Sequence, residues 1–207
     1  DNSSINGFFQ STFYFGNFAN QIKKELTPKE YITEQASERL SQIKSDYSGY
    51  EIVSLHLRRG DNTDWSNPNP KLSTMYGTNG ELQNNSFYGR YLTAAKDNFK
   101  NRKVKFLVFT GGARSQNNEN SNDIEWCQKN LEGEEYIVAD KNTAMLDFST
   151  IMNCDHNIIS HISSFGWWAA YLNKNNNKEV IAPLHYPPDL ENYTYREGFY
   201  PESWILK

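Results

Sequence analysis

The residues best able to do chemistry stand in one short run, His56-Leu57-Arg58-Arg59-Gly60-Asp61. An arginine presents a planar fork of donors that matches phosphate oxygens, and it can hold them without a metal ion. Two adjacent arginines leaving a strand point to opposite faces, because side chains alternate along an extended chain. One of them can therefore face a ligand phosphate while the other pins the loop through Asp61. His56, two residues before Arg58, shares its face. Gly60 lets the chain turn tightly. A solvated basic loop closed by a salt bridge is the plainer alternative.

A second anion site is written at Ser163-Ser164-Phe165, which opens a segment rich in Trp and Ala. The start of a helix carries free N–H groups and the positive end of the dipole. Simple N-capping by Ser163 or Ser164 accounts for the serines equally well. Between these runs Asp147 sits one turn into an apolar helix with Met145, Leu146, Phe148, Ile151 and Met152. A carboxylate there can cap, pair with a base, or accept hydrogen bonds from N1 and N2 of a guanine. Metal ligation has little support: His56, His156, His161 and His185 lack ligand spacing, and Asp61 with Asp64 is the nearest approach to an acidic pair. Gly-x-Gly-x-x-Gly, a Walker loop and Gly-x-Ser-x-Gly are all missing, which argues against NAD, ATP and serine-hydrolase chemistry.

The elements that must position these residues follow from the pattern. Residues 1–48 read as an aromatic segment and a helix, and residues 49–207 as one Rossmann-like domain. Phe8, Phe9, Phe13, Tyr14, Phe15 and Phe18 crowd the start and need something to pack against. Thr27-Pro28-Lys29-Glu30 predicts a helix start, with Pro at its first position, running to about Ser45. Strands are expected at Glu51 to Leu57, Val104 to Thr110, Tyr136 to Ala139, Asn157 to Ser160 and finally Glu179 to Ala182. Helices are expected at Ser86 to Asn98, Asp123 to Leu131, Thr143 to Asn153 and Ser163 to Leu172, with a polar loop from about Gly60 to Gln83. This alternation implies an α/β fold, a parallel sheet with helices on both faces, whose ligands bind at the carboxyl ends of the strands.

Composition narrows the partners. The 207 residues are enough for one domain with a proper core. The near balance of 21 basic and 25 acidic residues argues against a nucleic-acid surface. A few placed groups, not a basic field, must hold any anion. No segment has the roughly 18 uninterrupted apolar residues of a spanning helix, and the start does not read as a signal peptide. Opening on Asp1 leaves a fragment or a processed chain as options. Cys127 and Cys154 read as buried thiols in a reducing compartment. The sequons at Asn2, Asn84 and Asn192 are near the chance number for an asparagine-rich chain.

Taken together, the runs resemble glycosyltransferase family 11, the alpha-1,2-fucosyltransferases. His56 to Asp61 is similar to that family's His-x-Arg-Arg-Gly-Asp signature. Asp147-Phe148 through Cys154, His156 to Ile159, Ser163 to Phe165 and Trp167 to Leu172 resemble its second block, and Val180 to Pro183 its last motif. Gly7 to Ser11 with Tyr14-Phe15 looks like the segment leading into the nucleotide domain. The resemblance implies the donor-binding half of a GT-B-like enzyme that uses GDP-fucose, inverts at the anomeric carbon and needs no metal or other cofactor.

By the same resemblance, Arg58 would hold the β-phosphate and Arg59 would brace the loop. His56 and Asp147 would contact guanine, and Ser163, Ser164 and Phe165 would lie near the donor. Apart from the resemblance, Asp61 and Asp64 are candidates for the base that deprotonates a glycan acceptor, with a base on a missing domain as the alternative. Three departures stand out. The family's N-terminal Gly-Gly-Leu-Gly-Asn-Gln is absent, so a missing domain or partner chain is an expectation. Phe109-Thr110-Gly111-Gly112 replaces Phe-Ser-Asp-Asp, so a carboxylate near the donor is missing or displaced. His161 stands where the family usually has Asn. A same-fold transferase with another sugar nucleotide, or a non-catalytic sugar-nucleotide or glycan-binding subunit, stays open. The cytoplasm is the expected location, with a Golgi or other lumenal domain cut from its membrane anchor as the alternative.

Overall fold

The computed structural model describes residues 6–60, 82–111, 121–140, 142–161, 163–186, 194–195 and 197–207, without the side chains of residues 121 and 122. The strands are β1 (Glu51–Arg58), β2 (Val104–Gly111), β3 (Tyr136–Val138), β4 (His156–Ile158), β5 (Val180–Ala182) and β6 (Ile205–Leu206). They form one parallel sheet in the order β3-β2-β1-β4-β5-β6. This is a Rossmann-like order, and it reverses between β1 and β4. The helices are α1 (Ala19–Glu25), α2 (Glu30–Asp46), α3 (Phe87–Asp97), α4 (Ser121–Asn130), α5 (Ala144–Asn153) and α6 (Ser164–Leu172).

Strand alternation decides which face each residue serves. Val53, Leu55 and Leu57 of β1 pack with Tyr88, Tyr91, Leu92 and Ala95 of α3 and Cys127 of α4. Ile52, Leu107 and Phe109 face the other way, onto Leu40 of α2, Ile151 and Met152 of α5, and Ala169 and Leu172 of α6. Helices thus cover both faces, which is why β1 and β2 read as nearly continuous apolar runs. α2 buries Ala36 and Leu40, one turn apart, with Ile43 alongside, and leaves its other side to water. Cys127 and Cys154 are buried free thiols, and burial pushes the Cys127 thiol up to about 12. Among the described residues no helix is long and apolar enough to cross a membrane.

Three features differ from expectation. α2 begins at Glu30 with Lys29 in the cap position, so Pro28 lies outside the helix. The Thr27 hydroxyl bonds back to the Lys23 carbonyl at 2.7 Å, closing α1, a helix the aromatic-rich stretch did not announce. Of the six rings in that stretch only Phe15 is buried, among the rings of Trp167, Trp168 and Tyr171, while Phe8, Phe13, Tyr14 and Phe18 are exposed. The sheet also gains β6, too short to leave a periodic pattern. It is held by the Lys207 N–H on the Ala182 carbonyl at 3.0 Å and the Leu184 N–H on the Lys207 carbonyl at 2.7 Å.

Candidate functional site

The carboxyl ends of β1 and β4 meet at the switch in strand order, where open α/β sheets form their ligand crevice. Arg58 ends β1 there. Its backbone N–H donates to Ser160 Oγ at 2.9 Å, just past β4, and its guanidinium lies 3.5 Å from the Gly111 carbonyl at the end of β2. The Tyr88 hydroxyl, from α3, lies 3.0 Å from Ser160 Oγ and 3.1 Å from the His56 carbonyl. Burial pushes the Tyr88 phenol well above its ordinary value, so it stays a neutral donor. Tyr88 and Ser160 therefore fix the backbone that carries Arg58.

Arg59 points to the opposite face, as alternation requires. Its Nε meets Asp123 Oδ1 at 3.2 Å, and the Gly60 N–H reaches Asp123 Oδ2 at 3.2 Å. The guanidinium also lies 3.6 Å from the centre of the Trp126 ring. The arginine side chain is 8% exposed and the aspartate wholly buried. The loop is thus braced from α4, by Asp123. The expected partner, Asp61, lies outside the described residues.

His56 shares Arg58's side of the strand but is buried under α6, its ring 5.5 Å from that of Phe165. Burial, then the charge of Arg58, lowers its pKa to about 3, so the imidazole is neutral. Its buried Nδ1 has no hydrogen-bond partner. Phe165 also packs edge-on against Phe148 of α5 at 5.2 Å, so its ring belongs to the wall between α5 and α6. Ser163 caps α6 by accepting from the Gly166 N–H at 3.3 Å, and Ser164 is the first helical residue. The capping alternative therefore accounts for the Ser163 acceptor, while its O–H remains a donor. A Cβ at Gly166 would stand 2.8 Å from His56 Nδ1. Gly166→Ala is expected to cost about 1–3 kcal/mol by overpacking, read from denaturant unfolding. Wild-type stability in that variant would mean that His56 has room to move.

Asp147 meets a base: Arg39 of α2 donates to its Oδ1 at 3.2 Å, and the same guanidinium lies 5.9 Å from the Phe109 ring centre. Burial pushes the Asp147 carboxyl up from 3.8 to about 6, outweighing the pull of Arg39. Because the folded value is the higher one, its contribution to stability is complete below 3.8 and is lost as pH rises through about 6. Asp147→Asn should therefore gain stability relative to the wild type between about pH 4 and about pH 8, measured by thermal melts across that range. An identical difference at every pH would mean that Asp147 titrates normally.

The fold brings His56, Arg58, Ser163, Ser164 and Phe165 to the β1–α6 side of the crevice and ties Asp147 to it through Phe148 and Phe165. Arg59 stands behind, on the α4 side. Asp64, like Asp61, lies outside the described residues. Among the described residues no three His, Cys, Asp or Glu side chains gather as a metal site would need. Sequence reasoning missed Asp123, Tyr88, Ser160 and Arg39. Asp123 alone carried a signal, as an acid on the apolar side of an amphipathic helix.

The profile of glycosyl transferase family 11 matches residues 4–206. Over 177 residues the chain is 31% identical to galactoside alpha-(1,2)-fucosyltransferase 1 of Sus scrofa, covering 81% of this chain and 42% of that protein. It is 30% identical over 178 residues to the protein of the same name from Aotus azarae, with the same coverage. For the Homo sapiens protein the figure is 29% over 177 residues. The chain thus spans about two fifths of the length of these relatives, 42%. A match over nearly every residue, on a Rossmann-like sheet with paired arginines at its switch point, leaves one conclusion: the chain belongs to glycosyl transferase family 11.

Proposed function

We propose that this chain is the nucleotide-binding part of a fucosyltransferase that takes fucose from GDP-fucose, inverting at the anomeric carbon and needing no metal. The observation that carries this is Arg58, held at the end of β1 by Ser160 and set beside a loop braced through Arg59 and Asp123. A guanidinium carried at a switch point on a backbone fixed by Ser160 suits a diphosphate. The acceptor oxygen forms a bond to the fucose anomeric carbon as the bond from that carbon to the β-phosphate oxygen breaks. GDP leaves with the electron pair. Arg58, with the N–H groups opening α6, stabilises the growing phosphate charge, and Asp61 or Asp64 accepts the acceptor's proton. A galactoside acceptor and a linkage at O2 are supported by the relatives' name, galactoside alpha-(1,2)-fucosyltransferase 1.

Calorimetry with GDP, GDP-fucose and UDP in EDTA tests the donor site. Metal-independent binding that prefers GDP to UDP is the expected result. Equal affinity for UDP would remove the guanine specificity assigned to Asp147 and His56. Binding with no transfer to any galactoside would leave a sugar-nucleotide-binding subunit.

A further inference from the structure

Arg39 stands at the edge of the buried face of α2, next to Leu40 and one turn after Ala36. That face packs on α5 and on Leu107 and Phe109 of β2. β1 turns Ile52 to the same side, so by alternation His56 and Arg58 share it. α5 follows β3, which puts its first turn at the carboxyl edge of the sheet, and Asp147 lies in that turn. A helix that precedes β1 therefore reaches the nucleotide side of the sheet.

Arg39 Nη1 donates to Asp147 Oδ1 at 3.2 Å. The two side chains keep 20% and 18% of their surface open, so the pair is not sealed from a ligand. An ionised carboxyl accepts at about four lone-pair sites, and the bond from Arg39 uses one of them. The pair does little for the fold. Burial outweighs Arg39 and leaves the carboxyl at about 6, above its ordinary 3.8, so at neutral pH its ionisation works against folding. Apolar groups often replace such pairs without loss of stability. Few charges surround Asp147. α2 brings Arg39, and the loop before α5 brings the neutral Asn142, which also hydrogen-bonds the carboxyl. The sheet and α6 bring Phe109, Ile137 and Phe165, and His56 under α6 is neutral. Lys44, further along α2, is taken by Asp155 at 2.7 Å. Arg39 is thus the charge that keeps the carboxyl from rising further.

We propose that Arg39 is a positioning residue for the nucleotide base, holding one oxygen of Asp147 so that the carboxylate presents acceptors to N1–H and N2–H of guanine. This rests on the reading of Asp147 as the guanine contact, and adds α2 to the parts that build the site. A carboxylate offers both oxygens as acceptors. A protonated carboxyl turns one of them into a donor, which meets a guanine N–H badly. Without Arg39 the carboxyl takes up its proton at a higher pH, and base recognition fades near neutrality.

Calorimetry with GDP and UDP from about pH 5 to about pH 8 tests it. Both nucleotides carry the same diphosphate, so the ratio of their affinities reports the base alone. In the wild type the preference for GDP should rise as pH passes about 6 and then level off. Arg39→Gln should lower that preference about tenfold near neutral pH and move its rise to higher pH. Arg39→Met keeps an apolar stem of similar length and should do the same, a reading that stands if Arg39→Gln fails to fold. Arg39→Lys keeps the charge, so its preference should rise near the wild-type pH. An unchanged preference at every pH in Arg39→Gln and Arg39→Met would overturn the proposal and leave Arg39 to helix packing. So would an equal loss at every pH in all three variants, the mark of a disturbed pocket. A wild type that binds GDP and UDP alike would instead remove the guanine contact of Asp147, and the role of Arg39 with it.

Discussion

Replacing Arg58 by alanine is expected to lower turnover with GDP-fucose by about 10²–10³-fold, equivalent to about 2.7–4 kcal/mol of transition-state stabilisation. The magnitude follows from where charge develops. As the glycosidic bond breaks, negative charge grows on the β-phosphate, and the guanidinium carried at the end of β1 meets it with two donors. The backbone bond from residue 58 to Ser160 Oγ survives the substitution, as does the Arg59–Asp123 brace, so the fold should hold. Arg58→Lys separates charge from geometry: a lysine keeps the charge and loses the planar fork, so its rate should fall between the other two. Steady-state kinetics with GDP-fucose, together with GDP affinity, read both effects. Wild-type affinity and rate in Arg58→Ala would sink the assignment of the phosphate site.

Much of this was written in local sequence, and what was not has a physical cause. β1 and β2 are buried on both faces, so nearly continuous apolar runs announced them, and β-α alternation then implied a parallel sheet. The parity of Arg58 and Arg59 needed only the two-residue period of a strand. The partner of Arg59 needed more, because Asp123 lies 64 residues away and reaches it only through the packing of α4 beside β2. Ser160 meets Arg58 across the strand-order switch, 102 residues away, Tyr88 ties Ser160 to the His56 carbonyl, and no periodicity encodes either contact. Pro28 misled for a local reason: proline suits the residue just outside a helix as well as the first one inside, and Lys29 took the cap. β6 was invisible because two residues carry no alternation. Asp61 and Asp64 lie outside the described residues, so the choice of base rests on the sequence alone.

The brace behind Arg58 should prove nearly as sensitive as Arg58 itself. Asp123→Asn removes a buried counter-charge from the guanidinium of Arg59 and weakens the acceptor for the Gly60 N–H. Removing one partner of a buried pair costs about 3–5 kcal/mol, a large share of a total that is usually about 5–15 kcal/mol. A drop in melting temperature of about 2–4 °C for each kcal/mol should register it. The stacking of Arg59 on Trp126 at 3.6 Å persists in the variant and limits the loss. Stability alone would not show that the pair positions the nucleotide loop. Arg59→Met combined with Asp123→Asn supplies that test, since exchanging a buried ion pair for neutral groups is often tolerated in stability. If the brace sets the loop, the double variant should recover much of the melting temperature while its GDP affinity stays low. If affinity returns with stability, Arg59 and Asp123 serve the fold alone, and Tyr88 with Ser160 suffices to hold Arg58 in place.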